Sequence, residues 1–178
     1  MRVTLNNIEL EVEKGDITNQ PDLDVVVNAA NAELAPGGGV AGAIHQKAGP
    51  GLYKECKPLA PIYPGEAVLT NAYDLPNKKV IHCLGPVFGR DKPEKELLAS
   101  CYRNSLKIAE SNHLKSIGFP GISTGIFGFP PDLAVEVVFN TVLAEIPDLE
   151  HLKRIKFVVF SDNDLHLYES ELKNFSAR

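Results

Sequence analysis

The stretch VVVNAANAELAPGGGVAGAIHQKAG, residues 25–49, decides the fold class of this chain. Val25–Val27 is a short β-branched run that reads as a buried strand. Two asparagines follow, Asn28 and Asn31, then three consecutive glycines, Gly37, Gly38 and Gly39. The apolar spacing of Val40, Ala43, Ile44 and Ala48 then predicts a helix over Gly39–Ala48. Strand, polar turn, glycine loop and helix start together make an anion-binding arrangement. Glycines let the backbone approach a phosphate, and the first N–H groups of a helix point outward without partners.

Outward from this stretch, strand and helix patterns alternate along the chain. Strands are predicted at Arg2–Leu5, Ile8–Glu13, Val25–Ala29, Ala67–Asn71, Lys79–Leu84, Ser116–Pro120 and Ile155–Phe160. Helices are predicted at Gly39–Ala48, Pro50–Cys56, Pro93–Asn112, Pro131–Glu145 and Asn163–Phe175. Leu98, Cys101, Tyr102, Ser105 and Ala109 form one stripe of the third helix, with charges opposite. Pro93 and Pro131 suit first-turn positions, where a missing N–H costs nothing. The pattern predicts an α/β fold, a mostly parallel sheet covered on both faces. With no linker, repeat or low-complexity stretch, residues 1–178 are expected to form a single domain.

Ligands of such folds bind outside the carboxyl ends of the strands. Three segments fall at that rim: Gly15–Thr18, the loop from Asn28 to Gly39, and Gly121–Gly128. The last reads GISTGIFG between a strand and the Pro130-Pro131 helix start, making it a second phosphate-loop candidate. Two such loops facing each other would clamp a diphosphate.

Composition narrows the class. An apolar content of 44% and a charged content of 23% suit a soluble globular protein. The N-terminus alternates like a strand and lacks a signal-peptide core, so a cytoplasmic address is expected, with no membrane partner. A net charge of −5 argues against nucleic acid, and it leaves phosphate binding to backbone amides, since only Lys47 lies near the glycines. The three cysteines match neither a disulfide framework nor a metal pair, and the five histidines include no HExxH cluster, so no metal is expected. No GxxxxGK[ST] is present, which removes the P-loop reading.

Five segments in order, GDIT at Gly15–Thr18, VVNAAN at Val26–Asn31, GGGVAGAIHQKAG at Gly37–Gly49, HCLGP at His82–Pro86 and GISTGIFG at Gly121–Gly128, resemble the macrodomain family across essentially the whole chain. The resemblance implies a three-layer α/β/α sandwich with an ADP-ribose cleft at the sheet's rim and no cofactor. It implies that Asp16 accepts from the adenine amino group, that the Ile17 backbone flanks the base and that Phe160 stacks on it. The diphosphate is expected between Gly37, Gly38, Gly39, Val40 and the loop Ser123, Thr124, Gly125, Ile126, Phe127, with Phe127 walling off the distal ribose. Asn31 matches the asparagine that holds the distal ribose near the scissile bond. Asn28 is a further ligand candidate that could face the same cleft, with bracing of the loop as its expected role.

The sequence departs from the family pattern at one telling place. Many hydrolytic members similar to MacroD read GGGVDG, with an aspartate thought to position water. Here the residue is Ala41. Members with alanine at this position are still associated with de-ADP-ribosylation, the substrate's own phosphate activating the water. His45, four residues beyond Ala41, is a candidate to orient water or act as base, or to make a structural hydrogen bond. The resemblance therefore implies hydrolysis of mono-ADP-ribosylated protein or O-acetyl-ADP-ribose, with Asn31 and His45 as catalytic candidates. The alternatives are a non-catalytic ADP-ribose reader and an ADP-ribose 1''-phosphate phosphatase. Expected partners are ADP-ribose and mono-ADP-ribosylated proteins, bound by a monomer.

Overall fold

The computed structural model describes all 178 residues, in seven strands and five helices. The strands are β1 (Arg2–Leu5), β2 (Ile8–Lys14), β3 (Val25–Ala29), β4 (Ala67–Asn71), β5 (Lys79–Cys83), β6 (Ser116–Phe119) and β7 (Arg154–Val159). The helices are α1 (Gly39–Ala48), α2 (Pro50–Cys56), α3 (Glu94–Ser111), α4 (Pro131–Glu145) and α5 (Asp162–Ser176). All seven strands form one sheet in the order β1-β2-β7-β6-β3-β5-β4. The outer pairs β1–β2 and β4–β5 are antiparallel, and every pairing between them is parallel.

The residues of β3 show why the sheet is covered on both faces. Val25 and Val27 enter a core with α3, α4 and α5, while Val26 enters a second core with α1 and α2. Alternate strand side chains point to opposite faces, so an unbroken apolar run demands a helical layer on each side. This is the three-layer α/β/α sandwich. The α3 stripe Leu98, Cys101, Tyr102, Ser105 and Ala109 is fully buried, as its spacing requires. No helix is long and apolar enough to cross a membrane.

Several boundaries shift from the sequence reading. Pro93 precedes α3 as its cap, with extended backbone (ψ 124°), whereas Pro131 does open α4. Phe160 falls just beyond β7. Helix α1 spans Gly39–Ala48 as its spacing predicts, and its buried face is Ala41, Ile44, His45 and Ala48. Val40 is half-buried and Ala43 exposed, and both line a cleft, Val40 while also packing against the α1–α2 core.

Candidate functional site

A cavity of about 680 Å³ opens at the carboxyl ends of β2, β6 and β7. One wall is the start of α1. Gly38 caps this helix without a side-chain hydrogen bond, and Gly39 holds a φ of 55°, which favours glycine. The N–H groups of Gly39, Val40 and Ala41 have no acceptor in the protein, as expected for an uncapped first turn. The loop is held against its own helix: a Cβ on Gly42 would collide with the carbonyl of Gly37. Gly38 and Gly39 face open space.

The opposite wall is the loop after β6. None of the N–H groups of Ser123 to Phe127 finds an acceptor in the protein, although Phe129 N–H donates to Ser123 O at 2.9 Å and Gly128 N–H to Gly125 O at 3.0 Å. Ser123 is a buried non-glycine residue at φ 66°, and its hydroxyl has no partner. Such a backbone conformation costs on the order of 1–3 kcal/mol and marks loops shaped for a ligand. Ile126 projects into solvent at the loop tip, 98% exposed. Phe127 packs partly on the α1–α2 core, and its carbonyl accepts from Phe88 N–H at 2.9 Å. Gly39 and Val40 on one side and Thr124 and Gly125 on the other line one cleft, each with a free N–H, an anion cradle built without cations.

Asp16 and Ile17 line the far end of the cavity. The Thr18 hydroxyl and N–H both donate to Asp16 Oδ1, at 2.7 and 2.9 Å, and these bonds hold the carboxyl below its usual range. Lys47 on α1 contributes in the same direction. Asp16 therefore stays ionised at neutral pH, with Oδ2 free to accept. Phe160, 89% exposed, lines the same end. An aromatic face so exposed beside a carboxylate acceptor suits a planar base that donates a hydrogen bond.

Asn28 and His45 are buried against the sheet, apart from the residues that line the cavity. Asn28 is fully buried within β3, and its amide donates to His82 Nδ1 at 3.0 Å, bracing β3 against β5. His45 lies on the sheet side of α1, 6% exposed, its ring centroid 6.2 Å from that of Tyr53 and 6.3 Å from that of His82. Burial pushes its pKa down, and both ring nitrogens lack partners. The helical rotation that brings Val40 and Ala43 to the cleft turns His45 toward the sheet.

Asn31 is half-buried beneath the glycine loop. Its amide donates to Ala35 O at 2.9 Å and accepts from Ala35 N–H at 3.0 Å, closing the turn that leads to Gly37. One N–H and one lone pair remain free. A Cβ on Gly37 would lie 3.1 Å from Asn31 Nδ2. With Gly37, Gly38 and Phe127, this residue lies beyond the enclosed part of the cavity. The sequence reading missed Asp164 and Tyr168 of α5, which line the cleft beside Phe160. Their signal was the cap Ser161, whose hydroxyl accepts from Asp164 N–H at 3.1 Å and starts α5 at the rim.

An α/β/α sandwich with opposed anion loops, a base-accepting carboxylate and an exposed aromatic defines a nucleotide-diphosphate-binding class of cleft. The family model described as Macro domain matches residues 27–138, and the chain belongs to the macrodomain family. It is 44% identical over 173 residues to an O-acetyl-ADP-ribose deacetylase of Klebsiella pneumoniae, covering 94% of this chain and 98% of that one. It is also 44% identical over 165 residues to the human ADP-ribose glycohydrolase MACROD2, covering 91% of this chain and 39% of that protein. A structure of a mutant Oceanobacillus iheyensis macrodomain with ADPR superposes with a TM-score of 0.95 at 36% identity, covering 100% of this chain and 99% of that one.

Proposed function

We propose that this macrodomain binds ADP-ribose in the cleft and hydrolyses derivatives acylated, or attached to protein, through the distal ribose. The observation that carries this reading is the opposed pair of free N–H sets on the cleft, Gly39 and Val40 against Thr124 and Gly125, in a protein of net charge −5. Neutral donors of this kind suit a diphosphate. Adenine then lies between Asp16, Ile17 and Phe160, and the distal ribose reaches past Phe127 to Asn31 and Gly37. The names of the deacetylase and glycohydrolase relatives support hydrolysis.

Position 41 carries no base, so water is oriented by the glycine loop and Asn31 and gives its proton to a phosphate oxygen of the substrate. With O-acetyl-ADP-ribose, the water oxygen attacks the acyl carbon, the bond from that carbon to the ribose oxygen breaks, and the ribose oxygen leaves protonated. Catalysis rests on positioning and on backbone donors already in place. Ala41 favours one other reading, a module that retains mono-ADP-ribosylated proteins without turnover.

A protein mono-ADP-ribosylated on a carboxylate separates the two. Multiple-turnover release of ADP-ribose, lost in Asn31→Ala, is the expected result. Retention of the modified protein without release establishes the reader.

A further inference from the structure

The Asp16 carboxylate is only as selective as its position is fixed, and what fixes it lies outside the cleft. Residues 15–24 cross the sheet face over β2, β7 and β6, a corner where Ile17 and Leu23 pack on Val26 and Val158. The approach is close: a Cβ on Gly118 of β6 would come within 2.6 Å of Leu23 Cδ1. Beneath this segment lies Lys156 of β7, only 4% exposed. Its Nζ donates to Gln20 Oε1 at 2.7 Å and pairs with Glu13 at 2.8 Å and Asp22 at 3.9 Å.

Gln20 is itself 3% exposed, and its Nε2 donates to the carbonyl of Asp16 at 2.9 Å. An ammonium group only donates, so Lys156 dictates which way the Gln20 amide faces. With Oε1 held by Lys156, the N–H₂ end must point to the Asp16 carbonyl. Asn77 secures the other side of the turn, its Nδ2 donating to Gln20 O and Leu23 O at 2.8 Å each. A buried relay therefore runs from Lys156 through Gln20 to the backbone of Asp16. At its end Thr18 occupies Oδ1, so Oδ2 alone is left to meet a ligand.

We infer that Lys156 and Gln20 are positioning residues for base specificity: through this relay they hold Asp16 where it rewards an exocyclic amine and repels a ring carbonyl. The inference rests on the ADP-ribose reading of the cleft. Adenine presents a donor at its 6-position and hypoxanthine an acceptor. A fixed carboxylate oxygen discriminates between them strongly, whereas one free to swing aside loses the bond to the first and escapes the clash with the second.

The test is calorimetric binding of ADP-ribose and of inosine diphosphate ribose, identical but for the 6-oxo base, to the full chain. Gln20→Glu keeps an acceptor for Lys156 but sets an oxygen against the Asp16 carbonyl. It is expected to narrow the ADP-ribose preference about tenfold, the scale of one charge-assisted hydrogen bond. Lys156→Met is expected to narrow it severalfold, and Lys156→Arg, which keeps a buried donor, to restore it. Thermal melts establish that each variant is folded. An unchanged preference in folded Gln20→Glu and Lys156→Met, or an equal loss for both ligands, overturns the inference while leaving the cleft's assignment intact. Unfolding of both variants assigns the pair to stability and overturns it as well. Wild-type protein that binds neither ligand overturns the ADP-ribose reading itself.

Discussion

Asn28 and His82 sit directly opposite each other on the parallel strands β3 and β5, with Asn28 Nδ2 donating to His82 Nδ1 at 3.0 Å. Because Nδ1 accepts, the ring proton resides on Nε2, which donates to Thr70 Oγ1 at 2.9 Å. The threonine hydroxyl passes the chain on to Asn71 O at 3.0 Å. A proton added at Nδ1 would face an amide N–H in a fully buried site. Burial, with His45 nearby, accordingly pushes the His82 pKa down to about 3.

This arrangement makes the protein acid-sensitive well above the carboxylate range. Below pH 6.5 an unfolded His82 takes up a proton that the folded one refuses until about pH 3. Stability therefore falls as pH drops through that window, approaching about 1.4 kcal/mol per pH unit for a single group. His45, also shifted down, adds to the slope. Urea unfolding at pH 7, 6 and 5 should show the decline, and His82→Gln should flatten it by one proton's worth. An equal slope in that variant would refute the assignment.

Ala41 offers no acceptor to the unpartnered ring of His45. Both lie on the buried face of α1, four residues apart, where side chains meet. Ala41→Asp would supply the acceptor that His45 lacks, at a helix start that favours negative charge. The expected outcome is a rise in the His45 pKa from its lowered value, followed by NMR titration of the ring proton. A wild-type titration curve in the variant would mean that the two side chains do not meet.

Much of this site can be read from the chain, and what escapes reading has definite physical causes. The switch from a β-branched run through glycines to a helical period locates the anion loop, because each feature is local. The division of labour between Asn28 and Asn31 is not local. Both are asparagines of one motif, and only the pairing of β3 with β5 buries the first. The two faces of α1 are both apolar, so the pattern alone does not say that Val40 and Ala43 wall a cleft while Ala41 and His45 meet the sheet. Lys156 and Gln20 are 136 residues apart and become partners only once β7 lies under the Gly15–Asp24 segment.

Phe160 combines two properties that rarely coincide, a large apolar ring and 89% exposure. Since it buries almost nothing in the free protein, Phe160→Ala should change stability by no more than about 0.5 kcal/mol, or roughly 1–2 °C in Tm. Its position on the cleft beside Asp16 and Tyr168 nevertheless offers a base a stacking surface. Stacking of a base on an aromatic is worth about 1–3 kcal/mol, so ADP-ribose affinity should fall about five- to a hundredfold. Ribose 5-phosphate, which has no base, should bind wild type and variant alike, and Phe160→Tyr should keep the ADP-ribose affinity. Equal losses for ADP-ribose and ribose 5-phosphate would assign the ring to the shape of the cleft as a whole and remove it from base recognition.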